Sequence, residues 1–95
     1  GHEQRGKRPC IMLTDTNNFM GYMIGVAPIT TQTKPFPLHI QLPRGLKIKG
    51  QILLEHHRML AIETRGFQFV ETAPKEIVRE CLEKIQLLYK ERSGE

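Results

Sequence analysis

The chain has 95 residues, of which 39% are hydrophobic, and carries a formal net charge of +4. This length suits one domain with its own core, and because no apolar run approaches about eighteen residues, no membrane-spanning helix is predicted. The charged N-terminal residues argue against a secretory signal, although a processed chain would share this feature, and Cys10 and Cys81 are expected to be buried thiols of a cytoplasmic protein.

Positive charge is concentrated in the first 70 residues. Residues 1–70 contain nine Lys or Arg and four Asp or Glu, whereas residues 71–95 contain five and six. Such a field favours a polyanion such as RNA, or an acidic protein segment, although a modest positive excess is also ordinary for a soluble domain.

The first nine residues, Gly-His-Glu-Gln-Arg-Gly-Lys-Arg-Pro, form a polar segment directly before the apolar run 10–13. A loop that is fixed to a strand commonly presents binding and catalytic side chains. A solvated chain terminus would have the same composition. The segment is therefore a candidate site only if the rest of the chain supports one.

The next residues predict short strands separated by turns rich in glycine and proline. The expected strands are 10–14, 20–27, 36–42, 51–55 and 67–70. In 36–42 apolar residues alternate from Phe36 to Leu42, so they are expected to share one face, and Pro37 suggests a sheet edge. Many short strands of this kind are typical of a small barrel or sandwich.

The last segment has helical periodicity. A helix is expected over 74–92, with Pro74 in its first turn and Lys90 and Arg92 in its last turn. Its apolar stripe consists of Ile77, Val78, Cys81, Leu82, Ile85, Leu88 and Tyr89. This stripe is expected to pack on the strands, and a membrane-surface or partner-binding role is the alternative.

Residues 56–66 lie between two predicted strands. Their guanidinium groups, Arg58 and Arg65, suit phosphate or carboxylate, and could equally pair with the neighbouring Glu55 and Glu63. The adjacent His56 and His57 would point to opposite faces of a strand, and the sequence contains no Cys-x-x-Cys or His-x-x-x-His. No metal site is therefore predicted.

Four parts of the sequence, in order along the chain, resemble the MazF/PemK/Kid family of toxin endoribonucleases. They are residues 1–9, 26–31 (Val-Ala-Pro-Ile-Thr-Thr), 54–60 (Leu-Glu-His-His-Arg-Met-Leu), and Arg65-Gly66 with Ala73-Pro74. The resemblance implies one domain over 1–95: a mainly β, SH3-like barrel of the CcdB/MazF/PemK type over 1–70, then a C-terminal helix. It also implies a homodimer that needs no metal or cofactor, and an antitoxin partner with an acidic, initially disordered tail.

The resemblance further implies metal-independent cleavage of single-stranded RNA. The ribose 2′-hydroxyl would be the nucleophile, and the products would carry 2′,3′-cyclic phosphate and 5′-hydroxyl ends. Arg8 matches the family's catalytic arginine, Thr30 matches its threonine, and His2 lies where some members have a histidine that can carry a proton. The expected substrate-binding residues are Glu3, Gln4, Lys7, Thr31, Lys34 and Arg58.

The sequence departs from the family pattern in two places. Members usually have a strand upstream of the position of Gly1, and its lack would expose a sheet edge and predicts reduced or absent activity. Met59 and Ala61 replace a hydroxyl and an acid that members often have, which affects the expected orientation of Arg58.

Two other functions are the alternatives to RNA cleavage. The same dimeric barrel could bind RNA or an acidic antitoxin peptide without cleavage, because fold does not separate binding from catalysis. A gyrase-poisoning relative shares the fold, but residues 90–95 lack the aromatic and acidic character that this activity needs. Base preference is expected to reside in loops such as 14–21 and 31–36.

Overall fold

The structure is a computed structural model that describes residues 8–15, 23–61 and 67–91. Its elements are β1 (Cys10–Met12), β2 (Met23–Thr30), β3 (His39–Gln41), β4 (Gln51–Leu53), a 3-10 turn (Leu54–His56), β5 (Arg58–Ala61) and α1 (Lys75–Leu88). The predicted fold class, mainly β with a C-terminal helix, is confirmed. Across the described residues the five strands form a sheet that does not close on itself, and no described helix is long and apolar enough to cross a membrane.

Strand β2 is the centre of the sheet because other strands pair with both of its edges. Val26 lies between Met12 of β1 and Arg58 of β5, and all the pairings are antiparallel. Further along β2, Ile29 donates its N–H to the Pro9 carbonyl and pairs with Ile52 of β4. Strands β5 and β4 therefore share one edge of β2, β1 occupies the other, and β3 pairs with the outer side of β4.

One face of this sheet carries the core. The register places the side chains of Ile11, Ala27, Ile29, Ile40 and Ile52 on the same face, and all are buried. Helix α1 covers them with Cys81, which is fully buried, while Ile77, Val78 and Ile85 pack around it. Each buried isoleucine contributes about 2 kcal/mol to the hydrophobic stabilisation of this layer.

Helix α1 is shorter than the predicted 74–92. Pro74 precedes the helix as its N-cap, and the helix ends at Leu88 because Tyr89 is extended, with φ −112° and ψ 127°. The Tyr89 hydroxyl lies 2.8 Å from Nε2 of His57, which fixes the chain at this end. Lys90 therefore comes after the helix instead of lying in its last turn, and Arg92 is outside the described residues.

The distal part of the predicted helical stripe is not core. Leu82 and Leu88 are each 45% exposed and Tyr89 is 65% exposed. The prediction that these three side chains pack on the strands is wrong.

Two predicted strands differ from the structure. Residues 67–70 form no strand, and Phe67, Phe69 and Val70 are exposed. The following residue holds this segment instead, since the Glu71 carboxylate accepts the N–H groups of Lys47 and Ile48 at 3.0 and 2.9 Å. These hydrogen bonds lower the pKa of Glu71.

The other predicted strand, 36–42, is paired only at His39–Gln41. Pro35 and Pro37 lack the N–H groups that a ladder needs, so the residues before β3 are not in the sheet and Phe36 is 50% exposed. Conversely, β5 forms within residues 56–66, where no strand was predicted. Strand β2 also extends beyond the predicted 20–27, to Thr30; residues 20–22 are outside the described part.

Gly50 permits the close approach of the loop before β4 to the end of β2. Its φ is +126°, and an added Cβ would overlap the carbonyl oxygen of Thr30 and lie 3.2 Å from the N of Thr31. Gly45 has a φ of +97° with nothing within 4 Å of an added Cβ, so it shares the backbone conformation without the contact.

We expect Gly45→Ala to reduce the free energy of unfolding by about 1–2 kcal/mol, the cost of a left-handed alanine. Gly50→Ala is expected to cost about 3 kcal/mol or more because it adds the overlap with Thr30. Urea unfolding of both variants measures the difference. Equal losses would show that the contact with Thr30 has no energetic consequence.

Candidate functional site

Arg8 and Thr30 lie opposite each other at one end of the sheet. The β1–β2 register pairs Cys10 with Pro28, and the hydrogen bond from the Ile29 N–H to the Pro9 carbonyl, 3.1 Å long, continues it beyond the strand. One further step along this register places Arg8 opposite Thr30. Opposed Cα atoms in antiparallel strands are about 5 Å apart and their side chains share a face, and this face is opposite to the core.

The sequence keeps Arg8 extended and exposed at this place. A residue that precedes proline is restricted to the β region, so Pro9 favours the conformation that prolongs β1. Arg8 is exposed, and its guanidinium fork is therefore accessible to an anion.

The Thr30 hydroxyl is oriented by its own turn. Its Oγ1 accepts the N–H of Gln32 at 3.0 Å. Since a hydroxyl can accept and donate at once, this arrangement leaves the Thr30 O–H proton for a second partner. Arg8 and Thr30 each carry hydrogen-bond donors, and donors of these types suit phosphate oxygens.

The row of side chains continues across the sheet from Thr30. Gln51 of β4 is its partner on the other edge, and Gln41 of β3 is the partner of Gln51. The Gln51 Oε1 lies 3.1 Å from Nδ1 of His39, which is two residues before Gln41 on the same face. The candidate site therefore reaches from β1 to β3.

His39 joins three separate segments. Its Nδ1 is 3.1 Å from the Lys34 carbonyl as well as from Gln51, and its Nε2 is 2.8 Å from Oε2 of Glu55. The side chain is only 6% exposed. A doubly protonated imidazole donates from both nitrogens, so in that form it links the segment before β3, strand β4 and the 3-10 turn.

Glu55 is an ionised acceptor beside this histidine. Burial raises its pKa, but the hydrogen bond from His39, that of its own backbone N–H, and the charges of His39 and His56 together outweigh burial. The net effect is a lowered pKa. At neutral pH the group therefore has oxygen acceptors and no donor.

An open groove of about 510 Å³ adjoins these residues. Its lining consists of Thr33, Lys34, Pro35, Phe36, Leu38, His39 and Glu55. The Phe36 ring is half exposed and lies 5.3 Å from the His39 ring, with an interplanar angle of 56°. The groove thus combines one aromatic surface, one carboxylate and one lysine.

Of the residues predicted from the sequence, Arg8 and Thr30 lie at the same end of the β1–β2 pairing. Thr31 and Lys34 are exposed beyond Thr30, and Arg58 is exposed on β5, in the row of Val26. The remaining predicted site residues, His2, Glu3, Gln4 and Lys7, lie outside the described residues, as do Glu63 and Arg65. The sequence left open whether Arg58 pairs with Glu55. That pairing is wrong, since Glu55 pairs with His39 and lies 3.9 Å from His56.

Three residues of the site were not predicted from the sequence: His39, Gln51 and Glu55. Phe36 lies in the loop 31–36, where base preference was expected, but it was not named as a site residue. The alternation in 36–42 did place His39 opposite to Ile40, on the face away from the core. Polar residues at the outward positions of β3 and β4 were therefore the available signal. Their convergence depends on the pairing of β3 with β4, which one sequence does not reveal.

The two cysteines differ in their environment. Cys81 is fully buried, and burial with the nearby charge of Glu80 raises its pKa to about 11. Cys10 is half-buried, on the outward face of β1, which corrects the prediction that it is buried; burial raises its pKa and the Arg58 charge opposes this. Both are free thiols. In the described ranges no three His, Cys, Asp or Glu residues are grouped as metal ligands.

The His39–Glu55 pair is expected to contribute to stability in a pH-dependent way. A lowered Glu55 pKa stabilises the fold above the unfolded value of 4.5 and loses this contribution as the pH falls below it. We expect His39→Leu to lower the urea midpoint at pH 7, and the deficit to shrink towards pH 3.5.

His56→Leu is the control for this prediction, because His56 is exposed and lies 3.9 Å from the same carboxylate oxygen. A small change in midpoint is expected at either pH. A His39→Leu deficit that stayed constant from pH 7 to pH 3.5 would contradict the role assigned to the pair.

Comparisons with known proteins agree on one family. Residues 1–89 match the sequence profile described as PemK-like, MazF-like toxin of type II toxin-antitoxin system. A crystal structure of MazF from Deinococcus radiodurans is similar with a TM-score of 0.79 and 30% identity, over 93% of this chain and 81% of that chain. A MazE-MazF crystal structure from the same organism gives 0.79 and 27%, over 87% and 82%.

The search of curated protein sequences returned no match. The profile covers nearly the whole chain, and the structural likeness extends over the sheet and the helix. The chain therefore belongs to the PemK-like, MazF-like toxins of type II toxin–antitoxin systems.

Proposed function

We propose that the chain is an endoribonuclease that cleaves single-stranded RNA at specific sequences without a metal ion. The observation that supports the proposal is the β1–β2 register, whose extension by one residue sets Arg8 opposite Thr30, together with the Thr30 hydroxyl, which accepts from Gln32 and still has its proton to donate. Both groups would bind the non-bridging oxygens of the scissile phosphate. Charge that develops there in the transition state would be stabilised by donors that are in place beforehand.

The reaction would be a transesterification within the RNA. The 2′-oxygen would attack phosphorus and lose its proton to a base, while the bond to the 5′-oxygen breaks and that oxygen gains a proton. The products would be a 2′,3′-cyclic phosphate and a 5′-hydroxyl. An arginine at its ordinary pKa is a poor proton carrier, so Arg8 would act electrostatically, and His2 remains our proposal for proton transfer.

The substrate path would run along the outward face of the sheet. Lys34 and Arg58 are exposed, Arg58 in the row of Val26 and Lys34 in the segment that contacts His39, and Arg44 and Lys49 line a second hollow beside Gln41. These cations are placed to bind the RNA backbone. Glu3, Gln4, Lys7 and Thr31 remain proposed substrate contacts.

The cleavage experiment uses a long single-stranded RNA, EDTA and mapping of the new 5′ ends. We expect discrete cuts with 5′-hydroxyl termini, and their loss in Arg8→Ala. Thr30→Val is expected to reduce the rate about 10²–10³-fold, the usual effect of removing one transition-state donor.

Thr30→Ser is the matched control, since it retains the hydroxyl that accepts from Gln32, and it should keep most of the activity. If Arg8→Ala binds RNA as the parent does while neither cuts it, the second candidate applies: a dimeric module that binds RNA or an acidic antitoxin peptide. Its support is that the basic face suits binding as well as catalysis.

We also propose that two copies associate. Met23 of β2 and Met59 of β5 lie on one face of the sheet and are 36% and 48% exposed, and exposed apolar side chains that neighbour one another are typical of protein interfaces. Sedimentation of the purified chain should give twice the mass of 11.0 kDa. A monomer at micromolar concentration would contradict this proposal.

The proposed heteromeric partner is an antitoxin with an acidic tail that would occupy the RNA path. The similar Deinococcus radiodurans structures include MazE-MazF, and the basic outward face of this chain supports an acidic partner. An acidic peptide would then inhibit cleavage, and added salt would weaken the inhibition. A cytoplasmic location, where RNA and antitoxin are both present, is part of the same proposal.

A further inference from the structure

The groove beside the His39 ring has a chemistry that the cleavage mechanism does not use. It holds a half-exposed aromatic ring, Phe36, and the Glu55 carboxylate, both in contact with His39. We propose that this groove is a subsite for one unpaired guanine base, on the nucleotide next to the scissile phosphate. The inference rests on the proposed endoribonuclease function and names a base that it would select.

Phe36 provides the surface for the base. Its ring is outside the core, because the two flanking prolines keep this segment out of the sheet, and it is 50% exposed on the groove. Unpaired bases stack on such rings with little dependence on their identity. Phe36 would therefore contribute affinity for any base, and selection must come from the polar groups.

Glu55 provides the selection. As an ionised carboxylate it only accepts hydrogen bonds, and His39 holds one of its oxygens at 2.8 Å, which fixes its direction. Guanine presents two adjacent donors, N1–H and the N2 amino group. Adenine and cytosine place an acceptor beside their amino group, and uracil flanks its one N–H with two carbonyls, so each of these brings an acceptor towards the carboxylate.

The position of the groove connects it to the cleavage site. Gln51 is opposite Thr30 in the sheet and also contacts His39, so one side chain separates the phosphate donors from the groove. Lys34 lies on the groove wall and is exposed, where it would bind the next phosphate. Two further charges face Glu55, the rings of His39 and His56 when protonated, and neither presents an acceptor in that form.

The test measures binding separately from cleavage. The wild-type chain is titrated with 2′-O-methyl heptamers, which lack the nucleophile, each with one guanosine at a different position in a uridine background. We expect one position to bind tightest. Replacing that guanosine by inosine, which lacks only the N2 amino group, should weaken binding about tenfold, the effect of one hydrogen bond to a charged group.

A substitution reverses the preference. Glu55→Gln keeps an oxygen for His39 and presents an acceptor beside a donor, the pattern that matches adenine. We expect it to bind the adenosine heptamer better than the guanosine heptamer. Glu83→Gln on the exposed side of α1 is the matched control and should keep the wild-type order, while Phe36→Ala should weaken all the heptamers alike.

The outcomes separate the two proposals. A chain that cuts long RNA but binds guanosine and inosine equally at every position overturns the guanine subsite and leaves the endoribonuclease intact. A chain that neither cuts nor binds any RNA overturns the endoribonuclease and the subsite with it. Because the inosine comparison uses the wild-type chain, it decides the question even if Glu55→Gln does not fold.

Discussion

The pairing of β2 on both edges is the constraint on which the rest of the structure depends. Period-two alternation means that one register decides both faces of the sheet at once. The register that brings Ile29 to Ile52 in the core also brings Thr30 to Gln51 on the outward face and Arg8 to Thr30 on the other edge. A slip by one residue would bury polar groups, and it would also separate the residues of the candidate site from one another. Core and site are thus stabilised by the same hydrogen bonds.

The outward face needs a second source of order, because β3 has only three residues and, among the described strands, pairs with β4 alone. His39 supplies it by contacting the Lys34 carbonyl, Gln51 and Glu55. An almost fully buried polar ring with all its polar atoms partnered is costly to displace. The segment 33–38, too rich in proline to join the sheet, is held in this way next to Thr30. A loop placed by a rigid strand can then present the groove without adding to the core.

Sequence reasoning reached the fold class and the helix, and it named Arg8 and Thr30 as site residues, which remain a proposal. The helix follows from a local period, whereas Arg8 and Thr30 came from resemblance, and their juxtaposition required the β1–β2 register. The strand at 67–70 failed because aromatic and β-branched residues indicate a strand only where a partner exists. In its place, the Glu71 carboxylate binds Lys47 and Ile48, a contact between segments over twenty residues apart. The contacts of His39 with Gln51 and Glu55 were also missed, because they join segments that come together only when β3 pairs with β4.

On the outward face, the cations and the Glu55 carboxylate have different roles in RNA binding. The cations there, among them Arg8, Lys34 and Arg58, attract any single-stranded polyanion and carry no information about its bases. A carboxylate in this field weakens the attraction, so its presence in the groove needs a compensating role. The position of Glu55 gives it two such roles. It orients His39, which lines the groove, and it offers hydrogen-bond acceptors where the edge of a base would lie. Such a site discriminates between bases by repelling base edges that present acceptors as much as by binding base edges that present donors. The ionised Glu55 carboxylate would do both.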